Sequence, residues 1–379
     1  MLNSDNIKIE FESQGFQCTH LGISPTTDKT VLFFESLQKT ERAVTSLKYF
    51  CEEAPEYHVI AAGSLLGVAV NRNRFSFPVG KVDRYTMYPM DLEEFLLAMG
   101  EESLVERIRT CFQEDAPMPS ALHSAAMKLY RQYLVIGGMP EAVARFIETN
   151  DYVQVRHVQS TVLMDYLDDM SKYQESANEI KKTRLTFSTV SVQLSKKNKR
   201  FQYKIIKKGA RAAEYENAIE WLVCANLISR VYRAEQIKKP LENYKDIDDF
   251  KIYLSDMGLL CAQKDIRPQD VFFMEEELED FKGGMAENYV LSQLLCKDFK
   301  PFFWRNEKGT KEVDFLLRIG DHIIPVEVKS ADNVGSDSLN EYTKQYRPAW
   351  SIRISEKNFG FENGIKSVPL YAVFCVSPE

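Results

Sequence analysis

The sequence predicts a multidomain α/β protein, and three observations carry that expectation. Near the N-terminus two apolar runs flank a helical stretch. The middle repeats apolar residues at three- and four-residue steps, the spacing of a helix face. Towards the C-terminus the runs read α, β, β, α, β, β, as in a small mixed sheet flanked by helices. A chain of 379 residues can bury two or three cores. The expected domains are 1–110, 111–270 and 271–379.

In the first domain, Thr30–Phe34 is a continuous apolar run, expected to be a strand buried on both faces of a parallel sheet. Glu41–Glu53 places Ala43, Leu47 and Phe50 on one helix face, and Tyr57–Ala62 supplies a second strand. Strand, helix, strand makes a β-α-β unit. The first run ends in Glu35-Ser36 and the second in Gly63-Ser64. Together with FSFPVGKVDRYTMYPMDLEEFL, GGMPEAV, FKIYLSDMGLL and IPVEVKS, this resembles the prokaryotic AAA-type ATP-binding proteins that carry a C-terminal domain of unknown function.

The resemblance implies a partial P-loop-type ATPase core. Glu35 would stand for the metal-holding Asp of the Walker B strand, Ser36 for the catalytic Glu, and Ser64 for the polar sensor. A serine hydroxyl cannot serve as the general base. No G-x-x-x-x-G-K-[ST] occurs in the chain, so no glycine-rich nest would cradle phosphates. In the family that loop precedes the Walker B strand, and only about thirty residues do so here, so the chain reads as truncated at its N-terminus. ATP, bound by full-length relatives, is not expected to be hydrolysed by this chain alone; the alternative is a half-domain kept for packing. A sheet lacking its first strand would have an open edge, so residues 271–379 alone are expected to be more soluble than the intact chain.

From the end of the first domain into the second, Met90–Met99, Leu104–Phe112 and Ala121–Val135 read as helices. Gly137-Gly138 breaks the pattern, and Pro140 and Glu141 suit the first turn of the next helix. Lys181, Lys182, Arg184, Lys196, Lys197, Lys199, Arg200, Lys204, Lys207, Lys208 and Arg211 then follow with no acid between them, and Phe187, Phe201 and Tyr203 interleave. A net charge of −7 gives no global attraction to nucleic acid, so contact with DNA would have to be local, through this segment. Helices at Thr189–Lys196 and Ala212–Leu227, with strand-like Ile228–Arg233 and Phe250–Leu260, resemble a winged helix-turn-helix, which implies phosphate contacts from these lysines. Alternatively the lysines only solvate a surface.

In the third domain, Val313–Ile319 and His322–Val328 form a hairpin about Gly320-Asp321. Alternation puts Glu327 and Lys329 on one face, with Asp314 near the same end. Upstream, Glu287 shares a helix face with Val290, Leu291 and Leu294. Paired carboxylates suit Mg²⁺, and a lysine can hold a phosphate oxygen or orient water. Helix carboxylate, strand aspartate and E-x-K resembles the PD-(D/E)XK nuclease-like superfamily. That resemblance implies Asp314, Glu327 and Lys329 as catalytic residues and Glu287, Asp314 and Glu327 as Mg ligands. Two other readings stand beside it: an E-x-K on a solvated hairpin face, and Glu287 in a structural ion pair with Lys329 or Arg305. Asn340–Tyr346 follows as a helix, then Trp350–Ile354 and Leu370–Val376 as strands.

Seven scattered cysteines without a C-x-x-C pair fit a reducing compartment, and the five dispersed histidines show no zinc spacing. No apolar run is long enough for a membrane span and none forms a signal core, so a cytoplasmic protein is expected. Three functions remain: a truncated AAA-family member with DNA-associated C-terminal regions, a Mg-dependent DNA phosphodiesterase, and a non-catalytic DNA- or protein-binding module.

Overall fold

The computed structural model describes residues 2–3, 9–12, 15–18, 31–35, 41–63, 78–174, 176–196, 198–272, 279–330 and 337–379. These fall into two units, one comprising residues 1–87 and 220–227, the other residues 88–219 and 228–379.

In the first unit, β1 (Leu2–Asn3), β4 (Val31–Glu35) and β5 (His58–Ala61) form a parallel sheet in the order β1-β4-β5, and β2 (Ile9–Glu12) pairs with β3 (Gly15–Cys18) as a separate hairpin. Helix α1 (Glu41–Glu53) connects β4 to β5 as expected. The expectation that β4 is buried on both faces is corrected. Leu32 and Phe34 are buried, with Phe34 against Phe50 of α1, whereas Val31 and Phe33 are exposed. Helix α1 covers only the face to which alternate residues point.

The second unit begins with helices α2 (Leu92–Ala98), α3 (Glu102–Glu114), α4 (Ser120–Ile136), α5 (Pro140–Thr149), α6 (Tyr152–Lys172) and α7 (Ala177–Leu194). Asp91 caps α2 in a reciprocal box with Glu94. Gly137 turns the chain from α4 to α5 at φ +78°, and Pro140 opens α5 where its missing N–H is harmless. Short α8 (Tyr203–Ile206), then α9 (Ala212–Cys224), lead to strands β6 (Ile228–Ala234) and β7 (Lys245–Leu254). The run Phe250–Leu260, expected as one strand, changes type: β7 stops at Leu254, and Asp256 caps a new helix, α10 (Met257–Gln263).

After α11 (Pro268–Phe272) comes α12 (Glu279–Cys296), the spine of this unit. Its burial extends beyond the single expected face: Met285, Ala286, Asn288, Tyr289 and Gln293 are buried along with Glu287, Val290, Leu291 and Leu294. The polar residues are spent on distant backbone: Asn288 brackets the Leu254 amide and carbonyl, Gln293 accepts from Leu92 N, and Tyr289 donates to Leu370 O.

Strands β8 (Phe302–Arg305), β9 (Glu312–Ile319) and β10 (His322–Val328), helix α13 (Asp337–Tyr346), and strands β11 (Ser351–Ser355), β12 (Gly360–Glu362) and β13 (Ile365–Pro369) complete the chain. Leu370–Val376, expected as a strand, is instead a tight 3-10 segment over Leu370–Cys375. The sheet order is β12-β13-β11-β10-β9-β8-β6-β7. Thus β6 and β7 form no free wing: β6 is bonded in parallel to β8, and one sheet runs across the expected 270/271 boundary.

Candidate active site

Strands β9 and β10 pair antiparallel with Val326 opposite Phe315, which brings Asp314 level with the end of β10. There Asp314 Oδ2 accepts from Val328 N at 2.8 Å. Glu327 points to the same region, and its Oε1 meets Lys329 Nζ at 2.6 Å. Glu287 arrives from α12. The four residues singled out for this end of the chain therefore converge, but in buried surroundings: Asp314, Glu327 and Glu287 are each at most 9% exposed, so a solvated hairpin face is ruled out.

Three further participants are absent from the sequence-based expectation. Lys251 and Tyr253 of β7 both reach Glu287 Oε2, at 3.5 and 3.2 Å. Lys251 is fully buried, also pairs with Glu312 at 2.5 Å, and lies over the Phe303 ring. Glu312 in turn meets Arg305 at 2.7 Å. The other oxygen of Glu287 takes the ammonium of Lys199. The expected structural partners of Glu287, Lys329 and Arg305, are thus replaced by Lys199 and Lys251, while Arg305 serves Glu312 and Asp249. A lysine and a tyrosine two residues apart in the apolar strand FKIYL were the available signal for β7, because an ion buried in a sheet requires a partner.

Electrostatics separates the carboxyls. Burial would push Glu287 up, but Lys199 and Lys251 outweigh it and hold the group at about 2. Asp314 is driven well above the usual carboxylate range by burial and by the facing Glu287 and Glu327. Glu327 is raised by burial, against the pull of Lys329. Its Oε2 is buried without a hydrogen-bond partner among the described residues.

Oxygen donors of this kind suit Mg²⁺. As arranged they do not fit it, because both oxygens of Glu287 carry ammonium groups and Asp314 Oδ2 is engaged by an amide. Among the described residues no group of three or more His, Cys, Asp or Glu is placed to hold a metal ion.

The expected nucleic-acid contacts divide. Lys199 is turned inward, Lys182 pairs with Glu179 at 2.9 Å, Arg184 donates to Leu167 O at 2.7 Å, and Arg200 meets Asp249 at 3.4 Å. Lys181, Lys196, Lys204, Lys207, Lys208 and Arg211 are exposed, and Lys197 lies outside the described residues. Of the nucleotide-site expectations, Glu35 ends β4, and Ser36 and Ser64 lie outside the described residues.

Residues 2–96 match the family model of the AAA domain, residues 127–270 a domain of unknown function (DUF8612), and residues 282–373 a second one (DUF4143). The chain carries an AAA domain and two domains of unknown function. Comparison with curated proteins and with solved structures returns no match. The cluster straddles the two domains of unknown function: Lys199, Lys251 and Tyr253 come from the first, and Glu287, Glu312, Asp314, Glu327 and Lys329 from the second. No helix among the described residues is long and apolar enough to cross a membrane.

Proposed function

We propose that the cluster shared by the two domains of unknown function is a nuclease-like site acting on DNA phosphodiesters, held closed by its own lysines. The observation that carries this reading is the buried, unpartnered Glu327 Oε2 beside Lys329 and Asp314. A carboxylate with a raised pKa and a free lone pair can take the proton of an attacking water. Lys329, a third exposed, can hold a phosphate oxygen at the mouth of the site. Asp314, neutral through burial, fixes the end of β10 through Val328 N and can donate to Glu287.

The test is cleavage of labelled single- and double-stranded DNA by the full chain with Mg²⁺, with Mn²⁺ and with chelator, alongside Asp314→Ala and Lys329→Ala. Product from the wild type that disappears in both variants supports the reading. No product from a folded wild type removes it.

A second reading, a binding module without catalysis, is favoured by Lys251, which is fully buried among Glu287 and Glu312 where a cation would otherwise be needed. It expects salt-sensitive DNA binding with no product under any condition. For the AAA domain we propose no independent ATP hydrolysis, since the sequence has no Walker A loop.

A further inference from the structure

Apart from the carboxylate cluster, the second unit holds a cavity that none of the cluster's acids or lysines lines. Strands β10, β11 and β13 run parallel, and residues just beyond their carboxyl ends, Ser330, Glu356 and Leu370, share its wall. That is the end at which open α/β sheets receive ligands. Leu134 of α4, Val271 of α11 and Met285 of α12 make the rest of the wall largely apolar. The cavity encloses about 420 Å³ of free space counted out to solvent, of which about 30 Å³ admits the centre of a water molecule. The buried part of an occupant is therefore a small ring or a short branched chain.

Tyr130 supplies the polar handle. It lines the cavity, is 2% exposed, and meets Tyr289 edge-on with ring centroids 4.8 Å apart. Tyr133 and Tyr289 donate their hydroxyls to Met90 O and Leu370 O, and Tyr371 pairs with His123. The Tyr130 hydroxyl has no hydrogen-bond partner among the described residues. A buried hydroxyl left unpaired costs stability, so a ligand that accepts from it gains a bond that the protein does not make by itself. The charged groups of the wall are already answered: Glu356 by Arg131 at 3.2 Å and Asp270 by Arg267 at 2.9 Å, while Lys282 has its own partner. No counter-charge is on offer, and an ion would be desolvated against the apolar side. A carbonyl oxygen suits the phenol better than a hydroxyl, because it accepts without bringing a donor that needs a second partner.

We propose that this cavity binds a small, uncharged carbonyl compound, its hydrocarbon part against Leu134, Val271 and Met285 and its oxygen accepting from the Tyr130 hydroxyl. The test is titration of the full chain, labelled with ¹³C at the methionine methyls, with cyclopentanone, read at the Met285 signal, which Met285→Leu identifies. The wild type should show a saturable shift. Tyr130→Phe should weaken the binding about tenfold, the loss of one hydrogen bond, while cyclopentane, which carries no oxygen, should bind wild type and variant alike. No saturable Met285 shift in the wild type overturns the proposal. So does a Tyr130→Phe that binds the ketone as the wild type does, or one that weakens ketone and hydrocarbon equally. Should Tyr130→Phe fail to fold, crystals of the wild type soaked in cyclopentanone decide: an oxygen within hydrogen-bond distance of Tyr130 Oη supports the proposal, and a ketone turned away from it or absent from the cavity overturns it.

Discussion

Asp256 should make the second unit less stable as pH rises through the weakly acidic range. It is 1% exposed and accepts from Leu259 N at 2.8 Å and Gly138 N at 2.6 Å. Burial pushes its carboxyl up to about 6, in spite of the amides of Leu259, Gly138, Gly258 and Met257. In an unfolded chain an aspartate titrates at about 3.9. Below that pH both states hold the proton and folding carries no penalty. Between the two values the unfolded chain ionises while the folded one does not, so stability is lost progressively. Above about 6 the loss levels off at about 3 kcal/mol, because each tenfold difference in proton affinity between the two states is worth about 1.4 kcal/mol. Tyr133, Tyr166 and Cys261, the titratable groups coupled to Asp256, are all raised by burial and stay neutral throughout.

Asp256→Asn removes this titration, at a constant cost from turning an amide nitrogen towards a backbone N–H. Urea unfolding of the full chain at about pH 4 and about pH 7, wild type against variant, isolates the effect. The subtraction cancels groups of opposite sign such as Glu287, which its lysines hold at about 2. Because the unfolded aspartate is already about half ionised at pH 4, the stability difference should move by about 2 kcal/mol in the variant's favour at the higher pH. The same difference at both pH values would refute the reasoning.

Three further outcomes are expected. Lys251→Met leaves Glu312 and Glu287 each one cation short in a buried site and should destabilise by roughly 3 kcal/mol in urea titration; adding Glu312→Gln should recover part of that. Gly138→Ala would set a methyl 2.2 Å from Met90 O, at a junction sealed by Met90 N donating to Gly138 O, and should cost about 3 kcal/mol or more, seen as a fall in Tm. Residues 271–379 alone lose β6, β7 and Lys251, which bares the β8 edge and orphans Glu312 and Glu287, so their soluble yield should fall below that of residues 88–379.

Much of the local structure was legible because local rules decide it. The hairpin β9–β10 follows from alternation about Gly320-Asp321, and α5 from Gly137 and Pro140. The failures share a cause. Val31 and Phe33 are exposed because burial of a strand depends on what covers each face, and the apolar run does not carry that information. At Ser255-Asp256 the chain leaves a strand for a helix because the Asp256 carboxylate caps Leu259 N and binds Gly138 N, a residue 118 positions away.

The sequence by itself determined the candidate acids and the lysine. Asp314, Glu327 and Lys329 lie within one hairpin, and period-two geometry places them at one end without reference to the rest of the chain. Only the tertiary structure decided what surrounds them. Lys199 and Lys251 stand 88 and 36 positions from Glu287, and no spacing rule links a basic segment, an edge strand and a helix carboxylate at such separations. They meet because a buried carboxylate must be neutralised, and β6 and β7, added to the C-terminal sheet, deliver the buried cation.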